Sequence, residues 1–420
     1  MGFQHGLSGL SAAATNLDVI GNNIANGNTA GFKQSQAQFT DVFANAQGGS
    51  GSTQVGIGSK VATIQQQFSQ GNISPTSNPL DIAINGQGFF RMSDSGAISY
   101  SRNGQFHVDA NGYLVDAKDA NLTGYEADLN GDIVASEPAN LKLSTTDLAP
   151  QVTSKYEMGF NLDSRKTVPA VLPTFSALDP KTYNSTTSGT VIDSLGNSHI
   201  FSVFFQKTAA NTWSAFATID GKATAAGVPV GVTLDAGASK ILTFDGNGKL
   251  TAPLVPINMS VDLALINPTL GATSPLNFTL DLTTATQFGS DFGVNSLAQD
   301  GYTSGRMAGF SIAGDGLIQG SYSNGQTRTL GQIILANFIN PQGLNPVGEG
   351  HWVETSSSGQ PLVGPPTTGT LGALQSSAIE DANVDLTSEL VKMITAQRMY
   401  QANAKSIETQ DSIMQTLVNL

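Results

Sequence analysis

Cysteine is absent from the 420-residue sequence. This absence excludes disulfide bonds, thiolate metal ligands and a cysteine nucleophile. It also prevents mispairing of thiols, which favours a chain that is exported unfolded into an oxidising space.

Charge is also scarce, because only 12% of the residues are charged, about half the usual share. The net charge of −13 and the lack of any Lys or Arg cluster argue against a nucleic-acid binder, which needs a basic surface. Ser, Thr, Asn and Gln supply most of the polarity, and such residues tolerate burial against neighbouring molecules better than charges do. The composition fits a subunit covered by copies of itself, and it also fits a secreted β protein.

Long apolar runs are missing as well. No run approaches the roughly 20 residues that span a bilayer, so we expect no membrane insertion. The first 26 residues contain no Lys or Arg and no apolar signal-peptide core. An exported chain would therefore use a route that leaves its N-terminus in place.

Catalytic and metal-binding patterns are not found in the sequence. The four histidines, His5, His107, His199 and His351, are scattered, and no nucleophile elbow, P-loop or dinucleotide motif occurs. The stretch DLNGD at 128–132 resembles a calcium loop, but its glycine comes too early and the closing Glu is missing, so a hairpin turn is favoured. We predict no enzymatic activity, no cofactor and no metal.

Both ends of the chain carry apolar residues at alternating steps of four and three, the heptad pattern of helices that pack side by side. The N-terminal stripe is Phe3, Leu7, Leu10, Ala14, Leu17 and Ile24, and the C-terminal stripe is Leu386, Leu390, Met393, Tyr400, Ala404, Ile407 and Met414. We predict that the two helices pair and that the members larger than alanine form subunit interfaces. Since isolated helices are marginal in water, we expect neighbouring molecules to complete their packing.

Between the helices, short alternating runs are separated by turn sequences such as DSLGN at 193–197, which indicates β-hairpins. We predict a mainly β, nested multidomain subunit with α-helical termini, in which the helices pair in a coiled-coil-like inner domain and carry two β-rich outer domains. The predicted segments are an N-terminal helix at 1–32, a connector at 33–70 with a flexible stretch at 48–52, the first part of an inner β domain at 71–148, an inserted outer β domain at 149–288, the second part of the inner β domain at 289–358, a connector at 359–382 and a C-terminal helix at 383–420.

Several stretches resemble bacterial flagellar axial proteins, the family of rod and hook subunits. At the termini these are NNIAN at 22–26, TAGFK at 29–33, NVDL at 383–386 and QRMYQANAK at 397–405. In the interior, the stretches that resemble hook-type members are FSQG at 68–71, GQGFF at 86–90, QDGY at 299–302, YSNGQT at 322–327 and NPQGL at 340–344. The insert resembles the hook type in position only. Glu389-Leu390 departs from the acidic-aromatic pair expected there, which changes the packing of the stripe.

The resemblance implies a structural subunit that leaves the cell through the flagellar type III export apparatus without losing its N-terminus. It would polymerise with copies of itself under a hook cap into a short curved tube, a universal joint that transmits torque from rod to filament. Rod and hook–filament junction proteins would be its other partners, and it would lie in the extracellular flagellum next to the basal body. The alternatives are a distal rod subunit with the same termini or, in a different class, a secreted β-rich adhesin or hydrolase.

Overall fold

The computed structural model describes residues 2–42, 56, 58–128, 131–135, 137–144, 146–170 and 175–418, and the predicted flexible stretch at 48–52 lies outside them. The helices are α1 (Gly2–Ala25), α2 (Leu263–Ile266) and α3 (Leu386–Val418), with a 3-10 turn at Pro341–Gly343. The strands are β1 (Ser35–Val42), β2 (Gly58–Gln66), β3 (Ile73–Pro75), β4 (Ile82–Asn85), β5 (Phe89–Asp94), β6 (Ala97–Ser101), β7 (His107–Val108), β8 (Leu114–Val115), β9 (Asn121–Glu126), β10 (Ala139–Asn140), β11 (Lys155–Asp163), β12 (Ser185–Ile192), β13 (Ser198–Ala209), β14 (Thr212–Ile219), β15 (Val232–Leu234), β16 (Lys240–Phe244), β17 (Leu250–Ala252), β18 (Ile257–Val261), β19 (Leu276–Asp281), β20 (Thr286–Phe288), β21 (Gly293–Gln299), β22 (Met307–Ile312), β23 (Leu317–Tyr322), β24 (Thr327–Ile333), β25 (Leu335–Asn337), β26 (Asn345–Gly348), β27 (His351–Val353), β28 (Leu362–Gly364), β29 (Ala373–Ser376) and β30 (Ala378–Glu380).

The chain divides into two compact units. The terminal unit comprises Met1–Thr145, Ala308–Ser321 and Thr327–Leu420, and the inserted unit comprises Thr146–Met307 and Tyr322–Gln326. The insert was predicted to end at 288, but it continues to Met307 because β21 pairs antiparallel with β11. The mainly β architecture with paired terminal helices is confirmed.

The terminal unit is built around one large branched sheet, whose main path runs β22-β23-β24-β9-β5-β6-β27-β26. Neighbouring residues on β5 show how this sheet is covered on both faces. Successive strand side chains point to opposite faces, and here Phe89 and Phe90 are both buried, each in a different apolar cluster. Phe89 packs edge-on against Trp352, while Phe90 packs against Phe106.

The inserted unit contains a five-stranded sheet, β12-β13-β14-β16-β17, and a six-stranded sheet around β11, β18 and β19. Strand β13 alternates only in its first half, where Phe201 and Val203 are fully buried and Ile200 is exposed. From Val203 to Lys207 every residue is buried, including Phe204 and Phe205. Of these, Phe201, Val203 and Phe205 join Trp213 in one apolar core, and each large side chain in such a core contributes roughly 1.5–3 kcal/mol.

Both segments predicted as connectors contain strands. In the first, β1 and β2 form an antiparallel hairpin in which Ala37 is buried. In the second, β28, β29 and β30 pair with β25, β4 and β3. Their Gln-, Ser- and Gly-rich composition suggested linkers, but strand partners supplied elsewhere in the fold satisfy their backbone groups.

The possible calcium loop at 128–132 has the hydrogen bonds of a turn. The Asp128 backbone N–H donates to the Asp132 carbonyl at 2.9 Å, and the Gly131 N–H donates to the Asp128 carbonyl at 3.1 Å, while Leu129 and Asn130 lie outside the described residues. Within the described ranges, no cluster of three or more potential His, Asp or Glu ligands is arranged to hold a metal ion. No helix in those ranges is long and apolar enough to cross a membrane.

Candidate functional site

The two terminal helices approach closely where α1 carries glycine. A Cβ atom added to Gly6 would lie 2.7 Å from Ile407 Cγ1, and one added to Gly9 would lie 2.8 Å from the side-chain amide of Asn403. Contacts this short are essentially never seen for real Cβ atoms, so a larger residue at Gly6 would force Ile407 to shift and one at Gly9 would displace the side-chain amide of Asn403. The helices are paired as predicted.

Small residues are among the buried positions of both helices, together with Val19 and Ile20 on α1. Ala12 and Ala13 are buried on α1, and Ala396 is buried on α3. An interface of glycine and alanine allows close backbone approach but removes little apolar area from water.

Most large stripe residues lie beside this contact rather than in it. Phe3 is 54% exposed, Leu7 52% and Leu390 50%. Three further stripe residues are exposed: Leu386, Tyr400 and Met414. The other five are partly buried: Leu10, Leu17, Ile24, Met393 and Ile407. Their assignment to subunit interfaces stays a prediction.

We expect Gly6→Ala to loosen the helix pair. Its new methyl group would force Ile407 or the backbone to move, at a cost of about 1–3 kcal/mol that exceeds the gain of about 1 kcal/mol in helix propensity. Urea unfolding followed by far-ultraviolet circular dichroism should show earlier loss of helix.

Gly21→Ala is the matched control, because it lies on the same helix with no heavy atom within 4 Å of the added Cβ. This variant should be neutral or slightly more stable than the parent chain. Equal stabilisation by both substitutions would contradict the close contact at Gly6.

A buried ionic cluster lies where the helices join the β part of the terminal unit. The Nζ atom of Lys33 lies 2.6 Å from Glu380 Oε1, and Arg102 Nη1 lies 3.2 Å from Glu380 Oε2. The side chains of Lys33 and Glu380 are fully buried, and that of Arg102 is 5% exposed. Burial lowers the pKa of Lys33, against the opposing attraction of Glu380. We call these three residues the ionic junction.

The ionic junction connects three separate chain segments. Lys33 follows α1 and also donates to the Ser69 carbonyl at 2.7 Å. Glu380 precedes α3, and its carboxylate accepts the Gly71 N–H at 2.9 Å while its carbonyl accepts the Gly31 N–H at 2.7 Å. The exit of α1 and the approach to α3 are thereby fixed to each other.

An asparagine on α1 adds a second connection. Asn23 is buried, and its side-chain amide exchanges two hydrogen bonds with the Ser35 backbone, at 2.9 Å and 2.8 Å, as a paired strand would. Its Nδ2 also lies 3.3 Å from Glu389 Oε2 on α3. Glu389 is buried and pairs with Lys392 at 2.6 Å. The Glu389 carboxylate therefore has both of its partners, Asn23 and Lys392, within the same chain.

Asn383 makes the corresponding connection just before α3. Its Oδ1 accepts the Gln34 N–H at 2.8 Å, and its Nδ2 donates to the Gln67 carbonyl at 2.7 Å. The side-chain amide of Asn383 therefore binds the chain just before β1 and just after β2, at the open end of the hairpin.

Sequence reasoning missed this polar junction. Lys33 and Asn23 lie inside the terminal motifs but were given no role, and Glu380 and Arg102 were not selected at all. Asn383 was considered only as a candidate N-cap of the C-terminal helix, with Asp385 as the other candidate. The sequence did contain one signal of a buried charge, because Lys33 follows the apolar Phe32 in a chain that has few charged residues. Its partner Glu380 is far away in sequence and could not be paired with it.

Comparison with known proteins shows which family the chain belongs to. Four family models match: "Flagella basal body rod protein" at residues 3–33, "Flagellar hook protein FlgE/F/G D1 domain" at 83–149, "Flagellar basal body protein FlaE D2 domain" at 161–302 and "Flagellar basal body rod FlgEFG protein C-terminal" at 375–420. The flagellar hook protein FlgE of Escherichia coli K12 is 42% identical over 100% of both chains. The chain belongs to the flagellar hook protein family.

Further relatives in the family agree with this placement. FlgE of Salmonella typhimurium is 42% identical over 100% of both chains, and FlgE of Borreliella burgdorferi is 34% identical over 99% of this chain and 98% of its own. The crystal structure of Helicobacter pylori flagellar hook protein FlgE2 is similar in fold, with a TM-score of 0.54 at 14% identity over 73% of this chain and 100% of the other.

The matches assign this family member a structural role in the bacterial flagellar hook and in motility. The D2 model at 161–302 falls within the inserted unit. The two terminal models include Lys33 and Glu380, the oppositely charged ends of the ionic junction.

Proposed function

We propose that this hook-family chain polymerises with copies of itself through α1 and α3, and that these helices form the inner wall of a curved tube. The exposed stripe residues carry the proposal. Apolar side chains such as Phe3, Leu7 and Leu390 stay about half exposed although the two helices are packed against each other.

Assembly would supply the apolar partners that one chain lacks. Fully burying a Leu or Phe side chain contributes about 1.5–3 kcal/mol, so several such residues on each helix favour association. The helices would then gain much of their stability from neighbouring molecules, which couples their ordering to polymerisation.

The inserted unit would provide adjustable contacts further from the axis. Surfaces rich in Ser, Thr, Asn and Gln exchange hydrogen bonds with water at little net cost, so neighbouring copies can slide as a joint bends during rotation. We expect single polar substitutions at 150–288 to change curvature or stiffness without preventing assembly. The tube would transmit torque from rod to filament.

The remaining assignments follow the family. We infer a non-enzymatic subunit that leaves through the flagellar type III export apparatus without N-terminal cleavage and grows under a hook cap. Rod and hook–filament junction proteins would adjoin the finished tube. The nested division into an inner helical domain, an inner β domain and an outer insert is part of the same proposal.

Electron microscopy of the concentrated purified chain tests the proposal. We expect regular curved tubes from the full chain and only monomers from a variant that lacks residues 1–30, whose β units should stay folded by circular dichroism. Tubes formed by the truncated variant would contradict assembly through α1. Straight, stiff tubes from the full chain would instead favour the distal rod alternative.

A further inference from the structure

Three strand ends of the inserted unit meet around one buried histidine. His199 is the second residue of β13, Asp193 directly follows β12, and Asp220 directly follows β14. These strands are neighbours in the five-stranded sheet, so the three side chains lie at one end of it.

Both ring nitrogens of His199 contact carboxylates. Nδ1 lies 2.8 Å from Asp220 Oδ2, and Nε2 lies 3.3 Å from Asp193 Oδ2. The side chain of His199 is 6% exposed, that of Asp193 is fully buried and that of Asp220 is 33% exposed. Little water can reach the ring or Asp193, whereas Asp220 is partly open to solvent.

The chemistry of imidazole decides which form fits this site. A neutral ring has one N–H donor and one lone pair, whereas the protonated ring has two donors. Ionised carboxylates only accept hydrogen bonds, so a neutral ring would direct a lone pair at one of them. We propose that the inserted unit holds His199 as an imidazolium cation, a proton-dependent clamp that joins the ends of β12, β13 and β14.

The surroundings keep the two carboxylates in place. Desolvation alone would raise the pKa of Asp193, but hydrogen bonds from Asn197, His199 and the Leu195 backbone outweigh it and hold the pKa below its usual range. Asp220 also accepts the Ile200 N–H at 2.8 Å. Among the described residues, His199 is the one basic side chain that lies within ion-pair distance of either carboxylate.

A second buried histidine provides a contrast. In the terminal unit, His351 Nε2 lies 2.9 Å from Asp116 Oδ2, while Nδ1 lies 3.0 Å from the Ser99 hydroxyl. A hydroxyl can donate as well as accept, so the contact with Ser99 does not require a second N–H on the ring. Burial beside one aspartate therefore does not require the charged ring.

The proposal predicts the direction of a pH effect. The clamp stabilises the folded unit only while both ring nitrogens carry a proton, because each carboxylate then accepts an N–H. Removal of one proton at higher pH would leave a lone pair facing a carboxylate and would remove this contribution. The inserted unit should accordingly be less stable in mildly alkaline solution than in mildly acidic solution.

Fluorescence can follow this unit within the full chain. The sequence has two tryptophans, and Trp213 is buried in the inserted unit whereas Trp352 lies in the terminal unit. In a Trp352→Phe background, urea unfolding followed by Trp213 emission reports the inserted unit alone. Between mildly acidic and mildly alkaline solution, we expect the unfolding equilibrium constant at fixed urea to rise.

His199→Gln in the same background should abolish this pH dependence, whereas His351→Gln should leave it intact. An unchanged pH dependence in the His199→Gln variant would overturn the proposal. Should that variant fail to fold, nitrogen NMR of histidine-labelled full chain decides the question. Protonation of both ring nitrogens of His199 near neutral pH supports the clamp, and one unprotonated nitrogen in the folded chain refutes it.

Discussion

Glu380→Ala is expected to lower the free energy of unfolding of the terminal unit by about 3–5 kcal/mol. The carboxylate lies between Lys33 and Arg102, and its removal leaves two buried cations without their counterion. It also removes the acceptor of the Gly71 N–H. Urea unfolding followed by Trp352 emission, in a Trp213→Phe background, measures the loss.

An exposed ion pair on α3 provides the control for Glu380. Lys405 and Glu408 lie 2.9 Å apart with side chains 73% and 67% exposed. Exposed pairs contribute only about 0–1 kcal/mol, so Glu408→Ala should have little effect. Similar losses in the two variants would show that burial of the ionic junction does not determine its importance.

Leu390→Asp is expected to abolish polymerisation while the monomer stays folded. Leu390 is half exposed in the single chain, so a carboxylate there remains hydrated until assembly buries it. Burying an unpaired charge in an apolar interface costs several kcal/mol at each copy, and the cost recurs along the polymer. Electron microscopy and sedimentation should detect monomers only, with an unchanged urea midpoint.

Ser406→Asp is the matched control for this substitution. Ser406 is exposed on the same helix, and roughly 3.6 residues per turn place it on nearly the opposite side from Leu390. Tubes should still form from this variant. Complete, straight tubes from the Leu390→Asp variant would contradict the proposed role of the C-terminal stripe in assembly.

The terminal helices could be predicted because their signal is local. The N-terminal helical segment was predicted at 1–32 and its helix is observed at Gly2–Ala25, and the C-terminal helical segment was predicted at 383–420 and its helix is observed at Leu386–Val418. Apolar residues repeated at helical spacing, with a turn sequence after α1 and Asp385 before α3, carry this information within a few residues.

The contacts between those helices could not be predicted in the same way. The heptad rule selects large apolar residues, but the close contact within the chain uses Gly6 and Gly9. Glycine has no side chain to add to a hydrophobic pattern, so its role becomes visible only when the partner helix is in place. Whether the large residues face other copies is the question that Leu390→Asp addresses.

The sequence by itself determined the helical ends, the hairpin-rich middle and, through its motifs, the family. Only the tertiary structure decided that the two connectors contain strands, that the insert reaches Met307 and that Lys33, Arg102 and Glu380 form one buried cluster. The physical reason is the range of the interactions. Helix periodicity and turn chemistry act between near neighbours, whereas strand partners and buried charges come from segments separated by up to several hundred residues.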